Sequence, residues 1–159
     1  GQSDKVPFSG RPFEEKPLEY GTCAGDCMVL PYNYPSGQEL ARTLPFKETS
    51  LLQDVHFKFD RYDLDDESRQ ILRRNASYLK ANSSAAVEIQ GHCDERGTNN
   101  YNIALGERRS HSTKMYLVSQ GISARRIHTI SYGEERPACF DSKEECWFMN
   151  RRTHFRINE

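Results

Sequence analysis

From Val55 onward, apolar and polar positions fall into regular patterns. Val55-His56-Phe57-Lys58-Phe59 alternates, which predicts a strand with Val55, Phe57 and Phe59 facing one way. Asp63 or Asp65 is placed to cap a helix that begins with the acidic pair Asp66-Glu67. Leu72, Ala76 and Leu79 then recur on one face of that helix, which is predicted to run to about Asn82. Val87 to Gly91 reads as a second strand. A polar turn follows, then a long helix from about Asn99 to Gln120, stopped by Gly121. Ile127 to Ser131 and Thr153 to Ile157 supply a third and a fourth strand, with a short helix near Glu144 between them. The order strand, helix, strand, helix, strand, strand predicts an α+β sandwich: a four-stranded mixed sheet with two long helices on one face. Right-handed crossovers through the helices put successive strands parallel where they are neighbours.

Residues 1–50 lack this regularity. They hold all but one of the seven prolines and show no sustained period, so they read as an extended arm or linker ahead of a domain at 51–159. Tyr20, Met28, Val29, Leu30, Tyr32 and Tyr34 give the arm enough apolar surface for partial docking. No run approaches the roughly 18 apolar residues of a membrane span. No basic segment leads into an apolar stretch, so any signal peptide is expected to lie outside the sequence. A net charge of −1 argues against bulk capture of nucleic acid. The pairs Arg73-Arg74, Arg108-Arg109, Arg125-Arg126 and Arg151-Arg152 are scattered among acids and read as solvated faces.

Five cysteines point to an oxidising compartment. Cys139 and Cys146 bracket a short acidic loop, and Cys23 and Cys27 sit in a Gly-rich segment; both spacings suit local disulfides. A zinc site on Cys23, Cys27 and a histidine lacks a completing set of ligands, so neither metal nor cofactor is expected. Cys93 is left over as a free thiol.

The segment from Gly91 to Arg109 carries the chemistry. A strand ends there, hands over to a polar loop and then to a helix, and such loops are where sites are built. Asn102, Leu105 and Arg109 share one helical face, and Asp94 leaves the strand just ahead of it. An acid and a guanidinium around one concavity suit a zwitterion: the acid takes an ammonium, and Arg grips a carboxylate through two parallel hydrogen bonds. Each contact is worth about 1 kcal/mol in water and about 4 at an effective dielectric of 20. On pattern alone, Asp94 and Arg109 equally well form an internal salt bridge. Hydrolysis would use Asp60 with Asp94 as acid and base, or His92 with Cys93 as base and nucleophile. Adjacent strand residues point to opposite faces, however, so His92 and Cys93 do not meet. An enzyme is therefore not expected, and an adaptor that binds only proteins is the other alternative.

His56-Phe57-Lys58-Phe59-Asp60, Gly91-His92-Cys93-Asp94-Glu95-Arg96-Gly97-Thr98, Tyr101 to Arg109, Tyr132 to Pro137 and Asn150-Arg151-Arg152 together resemble the OmpA-like peptidoglycan-binding domains, in particular their peptidoglycan-associated lipoprotein branch. The resemblance spans about Leu52 to Glu159. It implies non-covalent binding of the diaminopimelate-bearing stem peptide of peptidoglycan, on the periplasmic side of the outer membrane of a Gram-negative bacterium. Asp94 and Arg109 would hold diaminopimelate, Asn102, Leu105, Phe59 and Asp60 would shape the site, and Arg151 would assist. It also implies an outer-membrane anchor through an N-terminal lipid and partnership with the Tol proteins, TolB among them. The chain departs from the family pattern in having no cysteine at its start, in Cys93, and in its arm and cysteine loop.

Overall fold

The computed structural model describes residues 45–159, so the arm up to residue 44, with Cys23 and Cys27, lies outside the described residues. The chain order is β1 (Lys47–Glu48), β2 (Val55–His56), α1 (Asp66–Ala81), β3 (Ala86–His92), α2 (Asn99–Ser119), a 3-10 turn at Ala124–Arg126, β4 (Ile127–Gly133), α3 (Glu144–Asn150) and β5 (Arg152–Asn158). β3 lies between β4, which it pairs in parallel, and β5, which it pairs antiparallel. The two short strands β1 and β2 both pair antiparallel with β5. The fold is the expected mixed α+β class, with one more strand than expected: Lys47–Glu48 falls in a stretch that carries no periodic signal.

Local chemistry sets the elements. The Asp65 carboxylate caps α1 by accepting from the Ser68 N–H at 2.8 Å, with Asp66 and Glu67 in the first turn. Thr98 caps α2 by accepting from the Tyr101 N–H at 3.1 Å. Gly121, at φ +101°, takes the left-handed position after α2. Leu72, Ala76 and Leu79 of α1 and Leu117 of α2 pack on Val87, Ile89, Phe155 and Ile157 of the sheet. The sheet positions of opposite parity are polar: Glu88 faces Arg156 and Gln90 faces His154 across the β3–β5 pair.

The strand expected at 55–59 is shorter. Only Val55 and His56 pair with β5, and the Phe57 N–H donates to the Arg151 carbonyl at 2.8 Å. The chain then turns through Asp60, whose φ of +59° is left-handed and which is the non-glycine residue in that region among the described residues. The turn redirects Phe59. It is 54% exposed, not buried beside Val55 and Phe57.

Candidate functional site

α2 lies unusually close to β3 at one point. A Cβ on Gly91 would sit 1.8 Å from the Gly106 carbonyl oxygen, and one on Gly106 would sit 2.2 Å from the Ser131 Oγ. Glycine at both positions lets helix and strand touch backbone to backbone. The contact brings the first half of α2 against the loop that leaves β3, where the ladder to β4 shifts register between Gly91 and His92. Between the loop, α2 and the Phe59–Asp60 turn lies a pocket of about 250 Å³. Six of the seven expected ligand residues line it: Phe59, Asp60, Asp94, Asn102, Leu105 and Arg109. Arg151 stands behind it, against Asp94.

Arg109 is fully buried, at 0% exposure. Its Nε donates to the Arg61 carbonyl at 2.8 Å, Nη1 to the His92 carbonyl at 2.9 Å and Nη2 to the Lys58 carbonyl at 3.1 Å. Three backbone oxygens from two segments thus solvate a cation whose guanidinium also lies 5.2 Å from the Phe57 ring centroid. Burial acts to lower its pKa, opposed by Cys93 and by the Asp94 charge. No carboxylate of the described residues forms a salt bridge with it, so the internal Asp94–Arg109 pair that the sequence left open does not form. Two of the five guanidinium hydrogens have no partner among the described residues.

Asp94 has other cations. Arg96 forks onto it, Nε to Oδ1 at 3.2 Å and Nη2 to Oδ2 at 2.7 Å, while the Arg96 backbone N–H also reaches Oδ1 at 3.0 Å. Arg151 Nη1 lies 3.5 Å from Oδ2. Burial of Asp94 works to raise its pKa, but the hydrogen bonds and charge of Arg96, together with the hydrogen bond from Arg151, outweigh it and the carboxyl sits below its usual range. Arg151 itself is buried, donates to the Phe57 carbonyl at 2.7 Å and pairs with Glu144 at 2.9 Å. Asp60 accepts a hydrogen bond from the Tyr101 hydroxyl and forms no salt bridge among the described residues. The Asn102 amide ties α2 to its surroundings, donating to the Arg96 carbonyl at 3.0 Å and to Glu134 Oε1 at 2.6 Å.

The pocket wall therefore carries two carboxylates, Asp60 and Asp94, and two guanidiniums, Arg96 and Arg109. Sequence reasoning missed Arg96, Tyr101 and Glu134. Arg96 sits in the loop that was singled out, but its partners are distant in sequence: its guanidinium is 3.9 Å from the Phe59 ring centroid and 4.0 Å from that of Trp147.

His92 and Cys93 part company as expected. His92 Nε2 is 3.1 Å from Gln90 Oε1 and its ring stacks on Tyr132, whereas the Cys93 thiol donates to the Asn102 carbonyl at 3.2 Å. Burial pushes the Cys93 thiol up to about 12 and the His92 imidazole down to about 3. Cys93 is a free thiol, and Cys139 is bonded to Cys146.

The OmpA family model matches residues 56–147. Curated relatives include the peptidoglycan-associated lipoprotein of Haemophilus influenzae, 48% identical over 98 residues that cover 62% of this chain and 64% of that protein. The peptidoglycan-associated lipoprotein of Pseudomonas aeruginosa is 43% identical over 101 residues, covering 64% of this chain and 60% of that protein. The match thus spans less than two thirds of these relatives' lengths. Among solved structures, the crystal structure of the peptidoglycan-associated lipoprotein from Burkholderia pseudomallei superposes with a TM-score of 0.65 at 34% identity, covering 67% of this chain and 90% of that one. The C-terminal domain of Helicobacter pylori MotB, with a TM-score of 0.62 at 15% identity over 67% of this chain and 86% of that one, shares the fold.

Proposed function

The chain belongs to the OmpA family, and from that premise we propose that it binds peptidoglycan non-covalently through the diaminopimelate of the stem peptide. Its relatives at 40–48% identity are named peptidoglycan-associated lipoproteins. The observation that carries the reading is the buried Arg109 cation, solvated by carbonyls alone and lining a pocket whose charged wall residues are two acids and two bases. The free end of diaminopimelate is a zwitterion. Its carboxylate lies against the remaining N–H groups of Arg109 and its ammonium against Asp60 and Asp94, while Leu105 and Phe59 cover its methylenes and Arg151 supports Asp94 from behind. In a partly enclosed pocket each charge contact is worth about 4 kcal/mol at an effective dielectric of 20, before desolvation is subtracted.

An N-terminal lipid on the periplasmic side of the outer membrane would turn this grip into a tether between membrane and wall, with the Tol proteins, TolB included, as partners. The domain acts by binding. A Cys93 thiol raised to about 12 and a neutral His92 turned to Gln90 supply no activated nucleophile.

Three measurements test this. Purified sacculi are expected to pellet the protein, and a soluble stem tripeptide ending in diaminopimelate is expected to compete. Amidating the diaminopimelate carboxylate removes the charge that faces Arg109 and is expected to weaken binding at least about tenfold, one lost charged contact. Equal affinity for the two peptides would overturn the Arg109 pose. Failure to pellet with sacculi would overturn wall binding, and new muropeptides after incubation would overturn the non-catalytic reading.

A further inference from the structure

α3 has only seven residues, and its N-cap Lys143 makes no side-chain cap bond. A helix that short has little stability of its own. Two fasteners hold it: the Cys139–Cys146 disulfide, with Cys146 fully buried, and the buried Asn150 amide. Asn150 Oδ1 accepts from the N–H groups of Ala138 and Cys139 at 2.7 and 3.1 Å, and its Nδ2 donates to the Cys139 carbonyl at 2.9 Å. A loop closed this firmly at both ends is a rigid base for whatever it presents.

It presents three side chains to the surroundings of Asp94. Ser142 hydrogen-bonds to Glu95, and the Trp147 indole N–H donates to Glu95 Oε2 at 2.9 Å. Glu144 holds Arg151 at 2.9 Å. The Trp147 ring lies against the guanidinium of Arg96, whose other ring partner is Phe59 at the pocket wall. Glu95 and Arg96 are the two residues that follow Asp94 in the chain, and Arg151 is its buried cation. The stapled segment therefore reaches Asp94 through every one of them without touching it.

We propose that α3 and its disulfide-closed loop are the positioning element of the pocket, and that Trp147 is the positioning residue that fixes Arg96 across Asp94. The inference rests on the stem-peptide reading and adds to it a residue outside the pocket wall. Flanked by two rings, Arg96 keeps its fork on the carboxylate instead of swinging into water. Asp94 then meets an incoming ammonium in one fixed orientation, and the ordering is complete before the ligand arrives.

The test compares Trp147→Ala with Trp147→Phe, which keeps a ring beside Arg96 but loses the N–H to Glu95. The Asp94 carboxyl is titrated by NMR, and binding of the diaminopimelate tripeptide is measured by calorimetry, on proteins shown by circular dichroism to remain folded. In Trp147→Ala the Asp94 titration is expected to move upward and affinity to fall about five- to tenfold, the scale of one lost ordering contact. Trp147→Phe is expected to retain most of both. An Asp94 titration identical in folded Trp147→Ala and in the parent overturns the proposal, as does equal or tighter peptide binding. If the parent itself binds no peptide, the stem-peptide reading fails, while the Asp94 titration still decides whether Trp147 positions Arg96.

Discussion

The guanidinium of Arg109 binds the carbonyls of Lys58, Arg61 and His92, and so ties the Phe59–Asp60 turn to the end of β3. The residue proposed to face the ligand thus also shapes the pocket. Arg109→Ala would leave three carbonyls short of a donor around a cavity, and each buried unsatisfied acceptor costs about 1–3 kcal/mol. Urea unfolding is expected to show a loss of about 3 kcal/mol or more, together with lost binding. An Arg109→Ala protein within about 0.5 kcal/mol of the parent would mean that the carbonyls do not depend on the guanidinium. Arg109→Lys keeps the charge but cannot span three acceptors, so it is expected to fold with reduced stability and to bind weakly. For the same reason the cleaner probe of recognition changes the ligand, because amidating diaminopimelate leaves the protein untouched. Asp60, at φ +59°, offers a second residue-scale check. Asp60→Asn keeps a residue that tolerates the left-handed region and removes one of the two acids at the wall, so it is expected to weaken binding with little change in melting temperature.

At the scale of elements, the Gly91–Gly106 contact sets where α2 sits on the sheet, and with it the positions of Asn102, Leu105 and Arg109. Gly91→Ala would drive a methyl into the backbone carbonyl of Gly106, which no side-chain rotation relieves. Moving α2 away is expected to destabilise the fold by about 3 kcal/mol or more, at the upper end of overpacking costs. Gly106→Ala meets a movable Ser131 hydroxyl first, and then the Gly91 backbone at 3.0 Å, so it is expected to cost less. Thermal melts of the two variants give the comparison, and the reversed order would argue that α2 moves off β3 at Gly91 at little cost. Much of this level was legible in the chain. Helix faces, a cap at Asp63 or Asp65 (Asp65 in the structure) and the Gly121 stop are local, and three long strands lie where the sequence puts them, extended by one or two residues at their ends. What escaped was set by distant partners. Phe59 leaves its strand because the turn carbonyls are drawn to Arg109, and Lys47–Glu48 becomes a strand because β5 presents an open edge. Arg96 went unread because Phe59 and Trp147, the rings against it, come from two other elements. The shared face of Asn102, Leu105 and Arg109 was readable from helical period, whereas the partners of Asp94 were not.

Across the whole domain, ionisable groups on the polar side of the sheet make stability depend on pH in two opposed ways. His154 on β5 bridges Asp54, 2.8 Å from Nδ1, and Glu48, 2.6 Å from Nε2, and so fastens the edge strands to the sheet. Its hydrogen bond to Asp54, helped by the bond to Glu48 and by both charges against an opposing effect of burial, raises its pKa. A raised histidine stabilises the fold fully below its unfolded value of about 6.5, and that contribution disappears as pH rises through the folded pKa. His92 behaves in the reverse sense. Burial, with Arg152, His154 and Arg136 nearby, lowers it to about 3. The fold therefore holds it neutral, and its contribution is present above about 6.5 and lost as pH falls toward 3. Over that span the loss is on the order of 4 kcal/mol, in line with a buried side chain. The lowered pKa values of His56 and His111, for which burial is the leading cause, act in the same direction. Melting temperature is thus expected to peak between about pH 6 and 7, with a steep acid limb and a gentler alkaline one. His154→Gln is expected to flatten the alkaline limb and, by removing one of the charges that lower His92, to ease the acid limb slightly, whereas His92→Gln is expected to flatten the acid limb. A parent protein that keeps its melting temperature from pH 6.5 down to 4 would show that His92 is not the group that fails first. Because the two limbs belong to different strands of one sheet, the pair of variants also reports whether β1 and β2 come away from β5 before the domain melts, since that release would appear at alkaline pH as an early, small transition absent from His154→Gln.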